Sequence, residues 1–156
     1  MDKLAFEALV RQNGESFYRI SVSILRNAAD AEDAVQQALM KGWASRSKMH
    51  PGKERAWLTR IVINECRNIQ RQRMRLIPME ILPKETAAPA QDGEVRKAVL
   101  MLPENLRLPL LLKYMEGMTE EEAAKALRIS KTVLKGRLFR ARKALEKQLK
   151  EEVELE

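Results

Sequence analysis

Apolar residues recur along this chain at helical spacing, and no stretch alternates apolar and polar positions for long. That pattern predicts an all-α protein. A first helix is expected over Asp2 to Gln12, stopped by Asn13-Gly14, and a second from Ser16 to about Arg26. A third opens at "DAED", with Asp30 as its cap and Asp33 adding negative charge to its first turn, and runs to Ser45. "SKMHPGKER" then reads as a loop turning at Pro51-Gly52, and a long helix follows from Glu54 to Arg75. The periodicity stops in "LIPMEILPKETAAPAQDG", which holds Pro78, Pro83 and Pro89 and no apolar stripe. It reads as a flexible linker over 76–93, although a long loop within one domain has the same composition; compact domains seldom contain such loops.

Helical spacing resumes over Glu94 to Leu102. After Pro103 a helix passes through "RLPLLLKYME", where Pro109 is expected only near a first turn and Gly117 suits the stop. Thr119 and Glu122 match a capping box, opening a short helix that ends at Leu127. "RIS" makes a turn, and Ser130 caps a final helix running to about Leu149. The expected architecture is therefore two small helical domains, 1–75 and 94–156, the second containing a helix-turn-helix.

The final helix has two unlike sides. Leu134, Leu138, Ala141, Leu145 and Leu149 share one, the expected buried stripe. Thr132, Gly136, Phe139, Arg140 and Lys143 share the other, flanked by Lys135, Arg137 and Arg142. A solvated surface needs neither a glycine, which costs roughly 1 kcal/mol in a helix interior, nor an aromatic ring. In a major groove the glycine permits close approach, the ring suits a thymine methyl, and the cations suit guanine edges or phosphates. A merely solvated basic face with Phe139 tucked under a neighbour has the same sequence.

The helix over Glu54 to Arg75 repeats this division. Trp57, Leu58, Ile61, Val62, Cys66 and Ile69 mark its apolar side. Arg60, Asn64, Arg67, Asn68, Arg71 and Arg75 form a stripe of guanidinium and amide groups, beside a loop carrying Lys48, Lys53 and Arg55. Such a stripe next to a loop suits unstacked single-stranded bases better than a duplex groove, and it also fits an ordinary solvated face. On the "DAED" helix, acidic and amide residues suit a protein partner, or else simply start a helix.

Composition narrows the classes. The chain has 156 residues, with 29 Lys and Arg against 22 Asp and Glu, a net charge of +7. That excess favours a polyanionic partner. A lone cysteine, Cys66, allows no internal disulfide and agrees with a reducing compartment. With His50 in a loop as the only histidine, no metal-ligand cluster or phosphate loop is visible, so an enzyme has no support. A conventional helix-turn-helix repressor would explain the second half but leave the Arg–Asn stripe unused. A helical adaptor with basic faces that are only solvated is a third class.

The ordered motifs decide among these. "AEDAVQQALMKGW" (31–43), "WLTRIVINECRN" (57–68) and "LPENLRLPLLLKYMEGMTEEEAAKALRIS" followed by "KGRLFRAR" span nearly the whole chain. Together they resemble the extracytoplasmic-function (ECF) sigma factors, small promoter-specificity subunits of bacterial RNA polymerase. The chain departs from the usual pattern at Asn68, where an aspartate is common, at Thr132 to Leu134, where "GTV" is common, and at Gly136, where a polar residue is common. The resemblance implies that Asp33, Gln36 and Leu39 help dock on the clamp helices of the largest polymerase subunit. Asn64, Arg67, Asn68 and Arg71, with the loop around Lys48 to Arg55, would hold the melted −10 strand. Lys135, Gly136, Phe139 and Arg140 would read the −35 duplex. It further implies an anti-sigma factor as partner, a cytoplasmic location with that partner able to hold the chain at a membrane, no cofactor and no small-molecule substrate.

Overall fold

The computed structural model describes residues 1–76 and 93–155. They form two compact helical units. The first holds α1 (Lys3–Leu25), α2 (Ala28–Ala44) and α3 (Glu54–Leu76), with a short 3₁₀ turn at Arg46–Lys48. The second holds α4 (Glu94–Met101), α5 (Glu104–Leu110), α6 (Glu120–Leu127) and α7 (Lys131–Leu155). Most of the expected linker over 76–93 lies outside the described residues.

In the first unit, Phe17, Ile20, Leu58, Val62, Ile63 and Cys66 are buried, as are the small residues Ala31, Ala34 and Ala38 of α2, which packs on both α1 and α3. These small side chains let the helix axes come close. Gly42 takes this furthest: a Cβ there would stand 2.5 Å from Leu58 Cδ2. Phe6 closes the end of the unit edge-on to Trp43, with ring centroids 5.3 Å apart.

Two sequence expectations fail here. Asn13-Gly14 does not stop a helix; α1 runs straight through it. Phe6 and Phe17 are buried on either side of the pair, so the helix gains from continuity. Asn13 keeps helical geometry by turning its amide back to the Leu9 carbonyl at 2.9 Å. Asp30 is likewise not the cap of α2. Asn27 is, its side chain accepting from the Asp30 amide at 2.9 Å, and Asp30 pairs instead with Arg73 of α3.

The second unit buries Leu108, Leu112, Leu134, Leu138 and Ala141. Arg107 is buried among them, and its Nη1 donates to the Leu102 carbonyl at 2.9 Å, closing the end of α4. Pro109 sits in the second turn of α5 rather than the first. A proline there withdraws an N–H and crowds the preceding turn. The chain answers by widening into a π-helical segment at Leu111–Met115, where the Glu116 amide reaches back to the Leu111 carbonyl at 2.9 Å.

The helix-turn-helix forms as its caps predict. Thr119 and Glu122 exchange both bonds of the capping box. At the far end of α6 the Ile129 amide bonds the Ala124 carbonyl at 3.0 Å and the Arg128 amide the Lys125 carbonyl at 3.2 Å. That closure needs a left-handed residue, and Arg128 supplies it at φ 57°. Ser130 Oγ then accepts from the Val133 amide at 3.1 Å and opens α7, which continues past the expected end at Leu149 to Leu155.

Candidate nucleic-acid and polymerase interfaces

The reading face proposed for α7 is exposed. Leu134, Leu138 and Ala141 turn into the unit, with Leu138 only 1% exposed. The adjacent Phe139 is 59% exposed. Thr132, Lys135, Arg140 and Lys143 are exposed around it, and Gly136 is half-buried. Lys143 Nζ lies 5.6 Å from the Phe139 ring centroid, so ring and cation share one patch. At Gly136 a Cβ would meet nothing closer than Arg140 Nη1 at 3.4 Å. The packing within this unit therefore does not require a glycine there.

Beneath this face, Glu120 of α6 accepts from Lys113 Nζ at 2.8 Å. That hydrogen bond lowers the Glu120 pKa; partial burial opposes it, while the charges of Lys113, Lys135 and Lys131 act in the same direction.

In the first unit the α3 stripe splits by depth. Arg60, Asn64, Arg67 and Asn68 are half-buried, whereas Arg71 and Arg75 are exposed. Lys48 and Lys53 project from the preceding loop and Arg55 is half-buried. On α2, Asp33 and Gln36 are exposed and Leu39 is half-buried. Met40, which the sequence reading left out, continues the exposed line at 66% exposure. A large exposed apolar residue at i+7 from Asp33 was legible as part of that face.

A polar cleft of about 500 Å³ between α2 and α3 brings together residues that the sequence placed on separate faces. Asp33, Gln37 and Lys41 line one wall, and Asn68, Arg71 and Arg75 the other. Glu65 is also in this lining, buried and paired with Lys41. Neither Lys41 nor Glu65 stood out in the sequence, because a lone Lys and a lone Glu on different helices carry no spacing signal.

A helix-turn-helix with an exposed aromatic and basic face, joined in one chain to a helical unit bearing an amide–guanidinium stripe, is an arrangement suited to nucleic-acid binding. Comparison with known proteins makes the class specific. Residues 9–76 match sigma-70 region 2, and residues 92–145 match sigma-70 region 4. The chain is 29% identical over 155 residues to the ECF RNA polymerase sigma factor SigE of Mycolicibacterium smegmatis, covering 90% of this chain and 60% of that protein's length. It is 27% identical to the RNA polymerase sigma-H factor of Pseudomonas aeruginosa, covering 95% of this chain and 88% of that one. Among solved structures, the sigma factor RpoE of Bartonella quintana, crystallised with the anti-sigma factor NepR, superposes with a TM-score of 0.79 at 30% identity. That match covers 94% of this chain and 97% of the other. The chain belongs to the ECF sigma factors, the promoter-specificity subunits of bacterial RNA polymerase.

Among the described residues no helix is long and apolar enough to cross a membrane.

Proposed function

We propose that this chain docks on core RNA polymerase through the exposed side of α2 and brings two DNA-reading surfaces to a promoter. Asp33 and Gln36, with Leu39 beside them, meet the clamp helices of the largest subunit. Arg60, Asn64, Arg67, Asn68 and Arg71, together with Lys48, Lys53 and Arg55, hold the single strand exposed when the −10 element melts. Thr132, Lys135, Gly136, Phe139, Arg140 and Lys143 read the −35 duplex from the major groove. On this reading the first unit serves polymerase and the −10 element, and the second serves the −35 element. The chain itself carries out no covalent chemistry. It works in the cytoplasm and is held inactive by an anti-sigma factor, as the complex of its Bartonella relative suggests, and that factor can tether it to a membrane.

The observation that carries this reading is the contrast on α7, where Phe139 stands 59% exposed among cations beside a Leu138 that is 1% exposed. A ring exposed among cations on one helix face offers apolar contact for a thymine methyl beside donors for guanine edges or phosphates. The test is reconstitution with bacterial core polymerase and selection of promoters from a random library. Enrichment of one −35 and one −10 sequence at fixed spacing, dependent on core, is the expected result. Tight specific binding by the free chain would instead indicate a self-sufficient repressor.

A further inference from the structure

Glu65 is the carboxylate that α3 buries, at 7% exposure, on a helix whose outer stripe is basic. Burying a charge is unfavourable unless partners satisfy it, and an apolar pair of similar volume commonly holds two helices at least as well. The packing of Ala34 and Ala38 of α2 with Leu58 and Val62 of α3 already supplies a core for this unit. The pair of Glu65 with Lys41, only one member of which is buried, is therefore weak evidence for a stabilising role. Its hydrogen bonds suggest another use.

Glu65 Oε1 accepts from Lys41 Nζ, which reaches across from α2. The same oxygen accepts from Asn68 Nδ2 at 3.5 Å. A carboxylate can only accept, so the side of the Asn68 amide that faces it must be the nitrogen. Asn68 Oδ1 is thereby turned away from Glu65, and there it accepts from Arg71 Nη2. The chain of contacts runs from Lys41, 55% exposed, through the buried Glu65 to Asn68 and the exposed Arg71, all of them lining the cleft. At its Arg71 end it presents a carbonyl acceptor beside guanidinium donors, a fixed pattern for the edge of a base. An aspartate at 68 could not take this place, since its carboxylate would face that of Glu65.

We infer that Glu65, held by Lys41, is a positioning residue for promoter recognition: it sets the orientation of the Asn68 amide and, through it, of Arg71. This rests on the assignment of Asn68 and Arg71 to the −10 strand. It also ties that assignment to α2, because Lys41 shares the cleft wall with Asp33 and Gln37. The helix proposed to meet polymerase thus supplies the cation that keeps the reading amide in place.

The experiment uses the full chain with core polymerase and measures the thermal midpoint, binding to core, strand opening by permanganate reactivity, and −10 base preference from a promoter library. Lys41→Met combined with Glu65→Leu removes the charges but keeps the volume. The expected result is a thermal midpoint and core affinity close to the parent's, with slower opening and a relaxed −10 preference. A purely structural pair predicts the reverse, with a parental −10 preference, and that outcome overturns the inference. Should the double variant not fold, Glu65→Asp decides. Its carboxylate is one methylene short of its partners, so −10 preference should relax while core binding is kept, and an unchanged preference overturns the inference. Asn68→Ala separates the two levels. If it too leaves −10 preference and opening intact, the assignment of α3 to the −10 strand is what has failed.

Discussion

Lys113 and Glu120 meet where the π-helical end of α5 faces the first turn of α6, with Nζ 2.8 Å from Oε1. The contact joins the two segments that precede α7. Glu120 has its pKa lowered from 4.5, chiefly by this hydrogen bond. A lowered carboxylate pKa contributes stability that is fully present above the unfolded value and is lost as pH falls through the folded value. Urea midpoints of the parent and Glu120→Gln should therefore differ at neutral pH and converge as pH falls through the lowered Glu120 value. A gap that persists in acid would show that Glu120 acts by something other than its charge. Salt should narrow the neutral gap, because both side chains are partly exposed.

On α7, neighbouring positions should separate binding from folding. Lys135→Ala and Arg140→Ala are expected to weaken −35 recognition by about 1–3 kcal/mol each if they make bidentate base contacts. Phe139→Ala should relax preference at a thymine and leave the melting temperature unchanged. Leu138→Ala, one residue away and buried, should cost about 2–5 kcal/mol of stability. Promoter competition and chemical unfolding on the same set of variants check both halves.

Arg128 holds a left-handed backbone at the end of α6. That conformation is unfavourable by about 1–2 kcal/mol for a residue with a Cβ, and glycine is free of the penalty. Arg128→Gly should therefore raise the stability of the second unit, by about 1 kcal/mol after glycine's own greater loss of freedom on folding. A drop in the unfolding midpoint would mean that the arginine side chain holds the turn.

For the first unit, Asn64→Ala and Arg71→Ala are expected to impair strand opening with core binding intact. Asp33→Arg should do the opposite and remove core binding, and with it all promoter-specific initiation. The weak, salt-sensitive binding of the free chain to DNA should survive that charge reversal. Run-off transcription and gel shifts, each with and without core, distinguish the two classes.

Helix caps, apolar stripes and the basic face of α7 were readable because each is local: Thr119 with Glu122, Leu134 with Leu138, Phe139 among its cations. What escaped depends on contacts between distant residues. Asn13-Gly14 is a sound stop signal in isolation, and only the burial of Phe6 and Phe17 on the same face carries α1 through it. Asp30 looked like a cap because its partner, Arg73, lies on another helix. Lys41 and Glu65 were missed for the same reason. The cleft that brings Asp33 near Asn68 and Arg71 follows from how closely α2 and α3 pack, and that closeness rests on alanines and on Gly42, whose smallness says nothing of what they pack against.

The two units bury separate sets of side chains, Phe17, Leu58 and Val62 in one and Leu108, Leu134 and Leu138 in the other. If each unit reads one promoter element, as proposed above, promoter preference is for descent with modification a trait in two heritable parts. A substitution in one of these cores strikes side chains that the other core does not use. Duplicated copies of such a gene can drift apart at one promoter element while keeping the other, and shuffled halves from two relatives have a route to a working hybrid with a new pair of target sequences.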